Sequence, residues 1–366
     1  MEMSTIPVMR PKLPVTERLA PYLDKIDSRR IYSNFGPLAV SLEERLAAHF
    51  GLTEHTVVTV GNATLGLTLA LMAQGARAGT LCVMPAWTFV ASPHAATMAG
   101  LTPYFVDVDR DTWALSPGEM DAVIAQAPSE VGAIMPVAPF GQPIDVAAWD
   151  RFRARTGVPV VIDAAAGFDA LVPSATPAVV SLHATKVYGV GEGGFVISSD
   201  RDLIRAIRTR ANFGFYDSRL SAFPSANAKL SEYHAAVGHA GLDEWDEVRG
   251  EWVSVATAYR TVLPESNRIR FQPGFGLDWV SATCVMILEE FSAPSAERAL
   301  NAAGVETRRW WGNGAHAHPA TSQLPRAALP TTEMLAQSTL ALPFYRDLSP
   351  ADVGKVVDVV RRATQI

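Results

Sequence analysis

The chain has 366 residues, 48% hydrophobic and 19% charged, with a net charge of −6; that excludes a disordered chain, suits two domains and disfavours a general nucleic-acid binder. Its two cysteines, Cys82 and Cys284, are too few for a disulfide framework or a cysteine-rich zinc site. With no apolar run of about 18 residues and no signal-peptide stretch at the start, the expectation is a cytoplasmic protein without a membrane span.

Residues 1–35 are Pro-rich and broken, and they read as an arm rather than a domain. A helix is predicted over Val40–Phe50, where apolar positions recur at helical spacing. From Thr56 short β-rich runs alternate with helical stretches. The predicted strands are Thr56–Val60, Thr80–Met84, Thr102–Val106, Gly132–Val137, Pro159–Ile162, Ala178–Leu182 and Gly194–Ser198. Helices such as Leu65–Gln74, Ser92–Ala99 and Pro117–Gln126 fit between them. This alternation predicts an α/β domain on a largely parallel sheet, and runs such as Val160-Val161-Ile162 are apolar on both faces, as a doubly covered sheet requires. The alternation ends near residue 245. Beyond it, a strand over Trp279–Leu288 and helices over Ala296–Ala303 and Pro350–Arg362 predict a smaller α+β domain. The expected division is an arm (1–35), a large α/β domain (36–245) and a small C-terminal domain (246–366).

The chemistry concentrates in Ser181-Leu182-His183-Ala184-Thr185-Lys186-Val187-Tyr188-Gly189-Val190-Gly191. Lys186 follows a buried strand and sits among small and apolar residues, which would desolvate its ammonium and lower its pKa, as an imine-forming lysine requires. The glycines from Gly189 to Gly194 also match G-x-G-x-x-G, but Phe195-Val196-Ile197 continues as a strand, whereas a dinucleotide fingerprint opens a helix. Asp163 ends the run Pro159–Ile162 and alone reads as a helix cap. Paired with Lys186 it has a sharper meaning, because pyridoxal phosphate needs a lysine for its imine and a carboxylate to keep its pyridine nitrogen protonated. The stretch Val57–Leu67 supplies strand, glycine turn, hydroxyl and helix start, the elements of a phosphate site. Trp87, in Pro85-Ala86-Trp87-Thr88-Phe89, offers a ring to stack on a flat cofactor, or a core aromatic.

Taken in order, Gly61–Leu67, Pro85–Ala91, Asp163-Ala164-Ala165, Ser181-x-His183-x-Thr185-Lys186 and Asn227-x-Lys229-Leu230-Ser231-Glu232 resemble the DegT/StrS-like sugar aminotransferases, of the fold-type I pyridoxal-phosphate superfamily. The likeness extends through Tyr32-x-Asn34-Phe35-Gly36-Pro37-Leu38, Thr307–Trp311 and Leu342-Pro343-x-Tyr345, so it covers about residues 30–360. It implies a mostly parallel seven-stranded sheet and a pyridoxal 5'-phosphate cofactor carried on Lys186. Asp163 would meet the pyridine nitrogen, and Trp87 would stack on the ring. Thr64, the backbone of Leu65 and Ser181 would hold the phosphate, with Asn227 reaching across from a second subunit of a homodimer. His183, Tyr32, Asn34, Arg308 and His316 would face the substrate. The chain departs from the family at Ala166, where glutamine is common, and within Pro136–Gly141, where a histidine is common and Ala138 stands here.

The function implied is transfer of an amino group from L-glutamate to a keto carbon of a nucleotide-linked deoxysugar, in deoxyaminosugar biosynthesis. The run Tyr32–Leu38 resembles the variant in enzymes acting on 4-keto-6-deoxyhexoses. Keto-cyclitol amination is an alternative, and a non-catalytic regulator of the same fold is another, which the intact Lys186 and Asp163 disfavour. His316 and His318 alternate as metal ligands can, but no metal is expected.

Overall fold

The computed structural model describes residues 5–266, 268–289 and 292–364. The arm leads into α1 (Thr16–Arg29) and α2 (Pro37–His49). Strands and helices then alternate through β1 (Val57–Val60), α3 (Ala63–Ala73), β2 (Leu81–Pro85), α4 (Ala91–Met98), β3 (Thr102–Val106), α5 (Met120–Gln126) and β4 (Val131–Ile134). The run continues with α6 (Val146–Thr156), β5 (Ile162–Asp163), β6 (Ala178–Ser181), β7 (Gly194–Ile197) and α7 (Arg201–Ala211). Beyond them come α8 (Glu232–Asp243), α9 (Trp245–Val262), β8 (Ile269–Phe271), β9 (Cys284–Leu288), α10 (Ala293–Ala302), α11 (Pro330–Ser338), β10 (Thr339–Leu342) and α12 (Pro350–Thr364).

The first seven strands line up as β3-β2-β4-β5-β6-β7-β1. Ladders join β3-β2-β4 and β5-β6-β7-β1, and parallel bridges Ile134↔Val160 and Val137↔Asp163 join the two groups. All run parallel except β7, which is antiparallel to both β6 and β1. The mostly parallel seven-stranded sheet is therefore present. Its central strands are buried along their length because helices cover both faces. α7 shows how a covering helix is written: Leu203, Ile204, Ile207 and Ala211 are buried while Arg201 and Arg205 are exposed. The C-terminal part builds a second, antiparallel sheet, β10-β9-β8, packed with α10 and α12. Among the described residues no helix is long and apolar enough to cross a membrane.

Two elements differ from the sequence expectation. The arm contains α1, with Pro21 inside it, and α1 packs on α8, where Tyr22 Oη donates to Asp243 Oδ2 (2.6 Å). Ahead of α1, Ile6 exchanges backbone hydrogen bonds with Gly304 and Glu306, so the arm crosses to the C-terminal part of its own chain. The strand expected over Trp279–Leu288 begins only at Cys284. Its first residues spend their polar groups elsewhere: Trp279 Nε1 donates to the Pro273 carbonyl, and the Val280 amide to Asp169 Oδ2 (both 2.9 Å).

Candidate active site

Lys186 lies on the tight loop between β6 and β7. The amides of Leu182 and Ala184 bond the carbonyls of Gly193 and Gly191, and a Cβ on Gly189 would lie 2.9 Å from the His183 carbonyl. Two residues past the lysine, buried Tyr188 anchors the loop by donating to the Gly238 carbonyl (2.6 Å) and stacking on Phe168. Lys186 is thus presented at the end of the sheet by a clamped segment. Burial lowers its pKa below the usual lysine range, and the charge of Asp163 partly offsets that.

Asp163 ends β5 and is buried. Burial pushes its carboxyl up, while three influences pull it down: a hydrogen bond from Ser92, one from the Ala165 amide, and the charge of Lys186. Ser92 Oγ donates to Oδ2 at 2.7 Å, and the Ala165 amide to Oδ1 at 3.1 Å. Ser92, in the first turn of α4, is a site residue that the sequence reading missed. Its only signal was a hydroxyl in the helix that follows Trp87.

A candidate anion cradle forms where α3 begins. Asn62 caps the helix, its Oδ1 accepting from the Leu65 amide (2.9 Å). The Leu65 amide, expected to face a phosphate, is therefore already engaged. Those of Ala63 and Thr64 have no acceptor among the described residues. Gly194 pairs with Val60 on one side and Ser181 on the other, and a Cβ there would stand 2.8 Å from the Ala63 nitrogen. The absent side chain lets the start of α3 approach β6 and β7, bringing two free amides to the side of the sheet where buried Ser181 ends its strand. Thr64, half-buried in the same turn, also carries a hydroxyl. These donors fit an anionic group.

Trp87 is only 1% exposed, packed edge-on against Trp311 (centroids 5.3 Å apart) and Phe140. It presents no open face, which corrects the stacking role. Phe89, two residues on, is 55% exposed and is the aromatic at this strand end with a free surface. His316 is also a correction. It is buried against Phe105, with Nδ1 unpartnered among the described residues and its pKa lowered by burial. His183 is half-buried; its Nδ1 lies 2.8 Å from Thr185 Oγ1, and its Nε2 is 3.7 Å from Glu192. Tyr32 and Asn34 line an open depression with Phe35, Val40 and Glu44, a lining that includes neither Lys186 nor Asp163. Arg308 is exposed and lies over the Trp310 ring (4.6 Å). Asn227 is exposed, while the carbonyl of its neighbour Ala228 accepts from the Gly61 amide (2.7 Å). Ala166 packs close to Gly141, where a Cβ would lie 2.5 Å from the Ala166 carbonyl, and Ala138 is buried with its amide on the Asp163 carbonyl.

Asp163, buried at the end of β5, Lys186, half-buried on the loop after β6, and the start of α3 form the candidate site. The chain belongs to the DegT/DnrJ/EryC1/StrS aminotransferase family, whose model matches residues 15–361; enzymes of this family depend on pyridoxal phosphate. It is 30% identical over 377 residues to protein Rv3402c of Mycobacterium tuberculosis, covering 98% of this chain and 90% of that one. It is 30% identical over 268 residues to the dTDP-4-amino-4,6-dideoxy-D-glucose transaminase of Shigella dysenteriae, covering 72% of this chain and 71% of the other. Among solved structures, DesI in the presence of its TDP-sugar product superposes with a TM-score of 0.89 at 32% identity, over 99% of this chain and 94% of that one.

Proposed function

We propose that this chain transfers an amino group from L-glutamate to the keto carbon of a nucleotide-linked 4-keto-6-deoxyhexose, with pyridoxal 5'-phosphate bound between Lys186 and Asp163. The observation that carries the reading is this pair, Asp163 buried and Lys186 half-buried, in which desolvation pushes each group toward neutrality and the other's charge pulls it back. When bound, the cofactor supplies an electron sink and a carrier for the amino group.

The chain's own residues do the rest. Lys186 offers an amine whose neutral, nucleophilic form is reached more easily than in a surface lysine, and it moves protons at the reacting carbon. Asp163 holds the proton on the pyridine nitrogen. The amides of Ala63 and Thr64, with the hydroxyls of Thr64 and Ser181, hold the phosphate, and Phe89 covers the ring. Asn227 of a second subunit reaches the same phosphate in a homodimer. His183, Tyr32, Asn34 and Arg308 remain candidates for the substrate side. The sugar class rests on the Shigella dysenteriae relative, on the DesI structure and on the run Tyr32–Leu38.

The test is a two-stage titration. L-Glutamate should abolish the visible absorbance of the cofactor-loaded protein, and a dTDP-linked 4-keto-6-deoxyhexose should restore it. Restoration by a keto-cyclitol alone would replace the sugar reading. No change with glutamate would reject the donor.

A further inference from the structure

The carboxylate of Asp163 is served by a chain of hydroxyls. Ser92 Oγ lies 2.7 Å from Asp163 Oδ2, and Thr88 Oγ1 lies 2.8 Å from Ser92 Oγ. Both hydroxyl residues are fully buried, so no water competes for these bonds. Where Asp163 is ionised its carboxylate only accepts, so the Ser92 proton points at Asp163 and Ser92 can then only accept from Thr88. With the carboxylate ionised the direction of all three groups is fixed: Thr88 donates to Ser92, and Ser92 donates to Asp163. The Ala165 amide occupies the other oxygen. The chain also joins two elements, because Thr88 and Ser92 belong to the turn into α4 whereas Asp163 ends β5. A helix start and a strand end are thereby held in register at the point where the cofactor's pyridine ring would lie.

We infer that Ser92 is a positioning residue for the reaction, holding Asp163 ionised and oriented for a protonated pyridine nitrogen, with Thr88 orienting Ser92. The inference rests on the proposal that Asp163 meets that nitrogen. Its physical basis is that a buried carboxylate stays charged only where donors replace the water it has lost. Asp163 has two such donors among the described residues, and Ser92 is the one a side-chain substitution can remove. Serine in the first turn of a helix is otherwise unremarked, since its hydroxyl commonly bonds the local backbone. Here it bonds across 71 positions of sequence.

The experiment measures equilibrium affinity of the cofactor-free protein for pyridoxal phosphate, by quenching of tryptophan fluorescence. It also follows the pH at which the bound cofactor's visible band changes. Ser92→Ala should weaken binding about tenfold, in keeping with loss of one hydrogen bond to a charged group, and should displace the pH midpoint of the band. Ser92→Thr keeps the hydroxyl and should return both within about twofold. Thr88→Val, which keeps the shape, should move both in the same direction by less. In an Asp163→Asn background, Ser92→Ala should add less than about twofold, because a residue acting through Asp163 has nothing left to act on. If Ser92→Ala leaves affinity and midpoint unchanged while Asp163→Asn alters them, the inference is overturned and the Asp163 reading stands. A full Ser92→Ala effect on top of Asp163→Asn also overturns it, as does failure of Ser92→Thr to recover. If Asp163→Asn itself changes neither quantity, the reading of Asp163 fails and takes the inference with it.

Discussion

Lys186 and Asp163 are opposite charges in a place that disfavours charge, and their pKa shifts have opposite signs for one cause. Burial lowers the lysine and raises the aspartate, while the charge of each works against that burial. Asp163→Asn removes the charge that supports the ammonium, so Lys186 of the cofactor-free protein should lose its proton at a lower pH than in the wild type. The pH profile of amine labelling at Lys186, read by peptide mapping, checks this. The same variant should slow the half-reaction with glutamate by roughly a hundredfold, typical of a lost electrostatic contact at a reacting centre. The neighbouring aromatics separate in a second prediction. Trp87→Ala opens the core and should cost about 3–5 kcal/mol of stability. Phe89→Ala should cost little stability and weaken pyridoxal-phosphate binding about tenfold, the scale of one aromatic contact. A denaturant titration beside a binding titration distinguishes them, and an unstable Phe89→Ala with normal affinity would return the ring to Trp87. Asp163 was legible in the sequence because an ionisable group at the end of a buried strand is costly unless a partner or a ligand compensates it, and Lys186 because it follows a buried strand among small and apolar residues. The choice between Trp87 and Phe89 was not, since the turn after β2 decides which ring faces the core, and no period in the sequence reports it. His316 was misread for a related reason: a histidine in a glycine-rich segment looks exposed until Phe105 is seen beneath it.

The elements around the cradle are tied together by another buried acid. Glu43, in α2, accepts from the amide and hydroxyl of Thr59 in β1 (2.8 and 2.9 Å) and pairs with Arg208 of α7. Arg208 in turn lies over the Phe35 ring (4.2 Å). Burial raises the Glu43 pKa from its ordinary 4.5 to about 7, although Arg208 and both Thr59 bonds pull it down. In the folded chain Glu43 therefore holds a proton over a range in which the unfolded chain has lost it. Stability is greatest below about pH 4.5 with respect to this group and falls as the pH rises through 7, by on the order of 3 kcal/mol in all. Glu43→Gln should flatten that part of the pH dependence. Chemical denaturation of the cofactor-free protein at pH 5, 6, 7 and 8 (about one-unit steps across the window) would show it, and parallel slopes for both proteins would remove Glu43 as the source. At this scale the strand–helix alternation was readable, because a doubly covered sheet writes apolar runs that few other structures tolerate. α1 was hidden by Pro21 and the prolines before it, and its stability comes from packing on α8, a contact made across more than half the chain. The cradle at α3 was foreseen as a whole but not in its bonds, because which amide Asn62 would occupy depends on a side-chain rotamer.

At the scale of the whole molecule, several large apolar side chains are exposed. Phe213, Tyr216 and Leu220 (78% exposed) lie in the segment before Asn227, and Tyr32 and Tyr233 stack on each other at the surface. So many large apolar side chains on one chain suit a surface that another copy covers. The sequence motif around Asn227 was legible, but the proposed contact with a second subunit's phosphate would be a property of the assembly, which a single chain cannot encode in local pattern. The proposal of a shared site makes a definite demand on mixtures. Lys186→Ala and Asn227→Asp should each be nearly inactive alone, the first for want of the amine and the second because a carboxylate repels the phosphate. In a mixed dimer with shared sites, one site carries both defects and the other carries neither. Random mixing should then restore about a quarter of the wild-type sites, since half the dimers are mixed and each has one intact site. Activity after unfolding the two variants together and refolding them, compared with each refolded alone, measures that recovery. Heterodimers confirmed by differential tags yet still inactive would place Asn227 in its own subunit's site. A chain that remains monomeric at concentrations where it is active would remove the shared site altogether.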